Sequence, residues 1–338
     1  MTPAEPAVVV GDDTIRLELL HVGAAVRRLE VHLPDGTWRN VVLGHPDLAD
    51  YRGNHGYLGA SVGRFANRIG DARFVLDGRE YRVDANEPPN TLHGGEHGFG
   101  VIDWTLAGSG DDWAEFTLLS PDGDQGFPGE LSARVRFEVA DGTVRITYSA
   151  TTDAPTIVNL TTHPYFNLDG EGSGTVEGHE LQVHASAWTP TRDDGIPTGE
   201  IRDVTGTAAD FRSPRPLGPA RTQAQAEGIT RTDGYDHNFV VDGDGMREHC
   251  RVVGTSGLRL VLSSDQPGLQ VYDGEHFVGE PGTSGLPYPR LAGLALEPQR
   301  FPDAPNQPGF PSSVLRPGEL YTASTTWQFF TDGGSSRL

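Results

Sequence analysis

Two short stretches place an ionisable side chain immediately before a proline. One is Thr161-Thr162-His163-Pro164-Tyr165-Phe166-Asn167, near the middle of the chain. The other is Leu294-Ala295-Leu296-Glu297-Pro298-Gln299. A proline ring collides with an α-conformation in the residue before it, so His163 and Glu297 belong on extended backbone, each aimed to one side. An imidazole and a carboxylate held in this way can serve one substrate as acid and base. Glu297 ends an apolar run, where a carboxylate is costly unless paired or hydrogen-bonded, and this makes it the base candidate on physical grounds. For His163 the competing reading is a buried histidine bonded to backbone.

Four further clusters offer binding groups. Gly63-Arg64-Phe65-Ala66-Asn67-Arg68-Ile69 sets two arginines and an asparagine in a stretch otherwise ready for burial. It is either a surface turn with solvated arginines or a fork of N–H donors for hydroxyls. His93-Gly94-Gly95-Glu96-His97 matches H-x-x-E-H literally. A zinc site of that kind needs both histidines on one helix face, which two glycines oppose, so no metal is expected. The glycines suit a tight loop that brings His93 close to a ligand. Tyr235-Asp236-His237 offers Asp236 as a hydroxyl acceptor, or as an Asx turn ahead of a strand at 239–241. Pro267-Gly268-Leu269-Gln270 reads as a turn entering a strand.

Such residues need an extended scaffold, and the rest of the chain supplies one. With 44 glycines and 25 prolines among 338 residues, the chain is cut into short segments that disfavour long helices. Asp77-Gly78 and Asp141-Gly142 each sit between extended runs and predict hairpins over 74–83 and 134–150. Gly254 to Gly257 predicts a third, joining 250–253 to 258–262. Tyr321, Ala323, Thr325, Trp327 and Phe329 alternate with mostly polar neighbours, as a half-buried strand does, and 14–33 reads as strands too. Helical signal is confined to 220–227, with a turn at 46–51. Long irregular segments at 84–99, 189–216 and 300–315 read as site-forming loops. The expected fold class is all-β: one large antiparallel β-sandwich, a single domain over 1–338 with its core at about 14–330 and a flexible tail at 331–338.

Composition removes several functions. A net charge of -21 opposes a nucleic acid or anionic membrane partner. The sequence contains no lysine, so all 26 basic residues are arginine. That excludes a Schiff-base aldolase, a pyridoxal-phosphate enzyme and a Walker A loop. The single cysteine, Cys250, permits neither an intrachain disulfide nor a cysteine-based zinc site. Residues 1–11 lack a basic n-region and no apolar run is long enough to span a bilayer, so a cytoplasmic protein is expected.

Taken together, these stretches resemble the aldose 1-epimerase family, the galactose mutarotases. Gly63-Arg-Phe-Ala-Asn-Arg-Ile69, Leu92-His-Gly-Gly95, Thr162-His-Pro-Tyr-Phe-Asn-Leu168, Tyr235-Asp-His237, Pro267-Gly-Leu-Gln270 and Leu296-Glu-Pro-Gln299 stand in the family's order. Asp124-Gln-Gly-Phe-Pro-Gly129, Ile196-Pro-Thr-Gly-Glu-Ile201 and Asp210-Phe-Arg212 fill the gaps, so the resemblance runs from about Thr14 to Phe329. It implies a β-supersandwich of one domain that interconverts the anomers of a free aldohexose without a cofactor, as a monomer or homodimer. It implies Glu297 as the base at the C1 hydroxyl and His163 as the acid at the ring oxygen. Asn67, Arg68, His93, Asp236 and Gln270 would hold the sugar, with Tyr165 beside the histidine completing the set.

The chemistry agrees with that assignment. Opening a hemiacetal takes a proton from one oxygen and delivers one to its neighbour, which a positioned acid–base pair accelerates. Free-solution values of about 4.3 for Glu and about 6.5 for His leave the imidazole protonated and the carboxylate not. A nearby carboxylate would strengthen that order. Three alternatives remain open from sequence: a hexose-6-phosphate epimerase, a non-catalytic sugar-binding or sensing protein of the same fold, and a glycoside hydrolase using Asp236 with Glu297.

Overall fold

The computed structural model describes residues 7–53, 56–230 and 234–331. Two antiparallel sheets dominate. The larger has nine strands in the spatial order Thr105–Ser109, Trp113–Ser120, Leu131–Ala140, Thr143–Thr152, Tyr321–Thr331, Leu258–Ser264, Arg247–Val253, Glu180–Val183 and Arg215–Pro216. The smaller has six, ordered Tyr165–Phe166, Leu294–Gln299, Gly268–Tyr272, Asp236–Val241, Ala185–Thr189 and Arg202–Asp203. A four-stranded sheet, Val8–Gly11 to Trp38–Asn40, closes one side.

Strand alternation decides what each sheet face carries, because successive side chains point to opposite faces. From the six-stranded sheet, Phe239, Leu269, Val271, Leu294 and Leu296 enter one continuous core. They share it with Val135, Phe137, Ile146, Leu260 and Trp327 of the nine-stranded sheet. The residues between them therefore face the other way. Gln270 stands opposite Glu297, and Asp236 opposite Tyr272, on the face turned from the core. The site is built on that second face; of the three segments expected to form it, 84–99 lines the cavity through Glu87, Leu92 and His93, whereas 189–216 and 300–315 contribute no lining residue.

The predicted hairpins are present: Arg73–Leu76 with Arg79–Arg82 falls one residue early, and Leu131–Ala140 with Thr143–Thr152 and Arg247–Val253 with Leu258–Ser264 are longer than expected. Tyr321–Thr331 buries Tyr321, Ala323, Thr325, Trp327 and Phe329. Four boundaries need correction. The helix covers Leu217–Ala226, starting before the expected residue 220. Pro219 reads as a breaker in sequence, yet it falls in the first turn, where a backbone N–H has no intrahelical acceptor to lose. The strand expected at 239–241 begins at Asp236, so Asp236 lies on a strand and not in an Asx turn. Val8–Gly11 already pairs with Ile15–Leu19, so the core begins before residue 14. The final strand runs through Thr331, while 332–338 lie outside the described residues. No helix of the described residues is long and apolar enough to cross a membrane.

Candidate active site

His163 lies between two short strands, Thr161–Thr162 and Tyr165–Phe166. Its backbone is pinned on both sides: its N–H donates to Ala60 O at 2.9 Å and its carbonyl accepts from Gly59 N at 2.9 Å. Glu297 lies inside the Leu294–Gln299 strand, which pairs with Tyr165–Phe166. Adjacent strands thus bring together side chains far apart in sequence. His163 Nε2 is 3.4 Å from Glu297 Oε1. The two residues are 4 % and 1 % exposed.

Around this pair the loops assemble a hydrogen-bonded wall. Asn67 and His93 clamp each other: His93 N–H donates to Asn67 O, and Asn67 N–H donates to His93 Nδ1, both at 3.1 Å. Both residues adopt positive φ, +63° and +50°. Gly94 follows at φ +89°, and a Cβ there would stand 2.0 Å from Gly63 O, so only glycine permits this approach. Arg68 makes a two-pronged contact with Glu87, Nε to Oε2 at 2.6 Å and Nη2 to Oε1 at 2.9 Å. Its Nη1 reaches Asp236 Oδ2 at 3.3 Å. Gln270 Nε2 donates to Asp236 Oδ1 at 2.6 Å, so Asp236 is oriented from both sides.

The cavity they form measures about 310 Å³. Asn67, Arg68, His93, His163, Tyr165, Asp236 and Glu297 all line it, as the sequence predicts. Gln270 does not, because its amide is turned to Asp236 behind the wall. Of the paired arginines, only Arg68 serves the cavity. Arg64 is buried, its guanidinium donating to the carbonyls of Ser120, Pro121, Pro128 and Gly129 and to Ser120 Oγ. The donor-fork reading of Arg64 is therefore corrected to a brace for the 120–129 loop. His97 is exposed and apart from the cavity wall. Tyr57, Glu87, Tyr272, Glu275 and His276 line the cavity without having been foreseen. Glu87 and Glu275 carry no motif, and no single-sequence signal would have found them.

Burial sets the charge state. It raises the Glu297 carboxyl well above its ordinary range, with Asp236 adding to the effect and Arg68 opposing it. It lowers His163 to about 4. His93 is held well below its usual value by burial and by the His163 and Arg68 charges, so it stays neutral. The order expected from free-solution values is thus reversed: burial acts on both groups in the sense that favours a neutral pair with the proton on Glu297.

Ligand atoms of His93, His163 and Glu297 lie within 4.8 Å of one another, a spacing that a metal ion would accept. The His93 tautomer opposes one. Its Nδ1 accepts from Asn67 N–H, which leaves the proton on Nε2, and a protonated nitrogen offers no lone pair. The trio suits hydrogen bonding to hydroxyls.

Comparison with known proteins agrees with this geometry. The chain is 40 % identical to a galactose mutarotase of Sus scrofa over 324 residues, covering 94 % of this chain and 92 % of that one. It is 38 % identical to an aldose 1-epimerase of Escherichia coli over 320 residues, covering 93 % and 92 %. The crystal structure of a GalM/aldose epimerase homologue from C. elegans superposes with a TM-score of 0.89 at 29 % identity, covering 96 % of this chain and 99 % of that one. A galactose 1-epimerase from Lactobacillus acidophilus gives 0.82 at 26 %, covering 96 % and 94 %. The aldose 1-epimerase family model matches residues 6–328, nearly the whole chain. On sequence and fold alike, the chain belongs to the aldose 1-epimerase family.

Proposed function

We propose that this cavity interconverts the α and β anomers of free aldohexoses such as galactose and glucose. The observation that carries the reading is the imidazole–carboxyl pair, 3.4 Å apart and buried at a hydroxyl-binding wall. Glu297 takes the C1 hydroxyl proton and His163 gives one to the ring oxygen. The ring opens, the C1–C2 bond rotates, and closure on the other carbonyl face returns the opposite anomer. Sugar entry readies the pair. The C1 hydroxyl donates to the Glu297 carboxylate and the ring oxygen accepts from the His163 N–H, so both contacts favour moving the shared proton from Glu297 to His163. After ring opening the proton is back on Glu297, as it was before the sugar entered. The cycle balances one proton and leaves none over.

Arg68, Asp236, His93, Asn67 and Tyr165 hold the sugar, and Gln270 and Glu87 set the positions of Asp236 and Arg68. Asp236 is committed to Arg68 and Gln270, which supports a binding role for it over a second catalytic carboxyl. No cofactor is needed. With its one cysteine buried and reduced, the protein suits the cytoplasm. The test is polarimetry of freshly dissolved α-D-galactose and α-D-glucose against buffer alone. Decay of rotation no faster than buffer would overturn the proposal.

A further inference from the structure

The cavity has a second histidine with a fixed proton, at its rim. His276 follows Tyr272 by four residues, and both line the wall. The rings stack with centroids 5.6 Å apart and planes 11° from parallel. Tyr272 Oη is 2.6 Å from His276 Nδ1, and it accepts from the His276 backbone N–H at 3.3 Å. The phenol keeps its proton, since burial raises Tyr272 well above its ordinary value. With one lone pair taken by the backbone N–H, the hydroxyl proton is available to Nδ1. In that arrangement the other ring nitrogen, Nε2, carries the histidine's proton when the ring is neutral. A Cβ at Gly56, another wall residue, would stand 2.9 Å from that nitrogen, so the donor lies at the cavity edge and glycine leaves it room.

The position of this donor follows from the reacting pair. In the proposed reaction the ring oxygen faces His163, and C5, the carbon beyond that oxygen, bears C6. The wall on the His163 side continues through Tyr165, whose ring centroid is 4.9 Å from His163, to His276, 5.9 Å from Tyr165. The wall on the Glu297 side continues instead through Asp236 to Arg68.

We propose that His276, held by Tyr272, donates its Nε2–H to the C6 hydroxyl of the sugar and so selects aldohexoses over sugars lacking that group. The inference rests on the proposed function, which supplies the orientation of the ring. The measurement is kcat/KM for D-galactose, for its 6-deoxy form and for L-arabinose, which has the same ring without C6. One neutral hydrogen bond at a solvent-reached rim gives a preference of roughly 5–10-fold for galactose over the 6-deoxy sugar. His276→Phe should bring that ratio close to one, and His276→Gln, which keeps an N–H donor, should preserve part of it. Thermal melting of both variants checks folding. A parental ratio of one, or a ratio that survives His276→Phe, overturns the inference. Should the parent show no anomerisation, the proposed function falls. The ratio of galactose to 6-deoxygalactose dissociation constants by calorimetry then decides the His276 contact on its own.

Discussion

The buried pair of Glu297 and His163 fixes what single substitutions should do. Glu297→Gln keeps size and hydrogen bonding but not basicity, and His163→Asn removes the proton donor. Each should lower kcat by roughly 10²–10⁴, the usual share of one general acid or base. Polarimetry corrected for buffer catalysis measures this, and sugar binding should survive in both variants. The pH profile of kcat/KM should be a broad bell whose acid limb falls near pH 4, where the pair gains a second proton at His163. An acid limb at 6 or above would contradict the neutral resting pair. Stability should respond in the opposite sense to activity. Glu297 has a folded value raised above 4.5, so folding binds its proton more tightly than the unfolded chain does. The stability it contributes is full below about pH 4.5 and lost as pH rises toward the folded value. Glu297→Gln should therefore melt higher than the parent, by a margin that widens from pH 5 to pH 8; a constant margin would sink the idea. The identities of both residues were legible because each precedes a proline. Their protonation order was not, because near-complete burial, with 4 % and 1 % exposure for His163 and Glu297, is a tertiary property. Arg64 shows the same limit: four residues from Arg68 in one motif, it turned to backbone carbonyls no local pattern reveals.

At the scale of elements, turn chemistry was the readable part. Asp77-Gly78 and Asp141-Gly142 both close the hairpins they predicted. The irregular segments were recognised as loops, but not what each presses against. Gly195 of the 189–216 segment packs so that a Cβ would stand 3.0 Å from the Arg68 guanidinium. Asp303 of the 300–315 segment accepts from Gly70 N at 2.9 Å, holding the turn that follows the Arg68–Ile69 strand. The loop carrying His93 gives the sharpest test. Gly94→Ala puts a Cβ at positive φ and into Gly63 O, so the loop must move and take His93 with it. We expect a stability loss on the order of 2 kcal/mol or more and a raised KM for galactose. Parental melting temperature and KM would show that the loop tolerates the shift.

Over the whole molecule, charge separates this protein from an epimerase of phosphorylated sugars. The net charge is -21. The cavity repeats that sign locally: Glu87, Asp236 and Glu275 line it, against Arg68, which is already paired with Glu87 and Asp236. Such a field repels anions and leaves no arginine to receive a phosphate. Glucose 6-phosphate should therefore show kcat/KM lower than glucose by on the order of tenfold or more at low salt, and the gap should narrow as salt screens the field. Equal values would favour the phosphorylated substrate. The all-β class followed from composition and alternation, but strand order did not. Nothing in the local pattern of Tyr321–Thr331 says that it joins Thr143–Thr152 to Leu258–Ser264.

That central strand has a consequence for how the protein is made. Translation proceeds from the N-terminus, so Tyr321–Thr331 leaves the ribosome after both strands that flank it. Until it arrives, Thr143–Thr152 and Leu258–Ser264 each present an unpaired inner edge, a template for pairing between nascent chains. The reacting pair is complete once Glu297 is synthesised, yet the core behind its sheet includes Trp327 and Phe329 and stays open until then. A ribosome stalled between residues 297 and 321 would thus hold every proposed catalytic group and no closed sheet to support them.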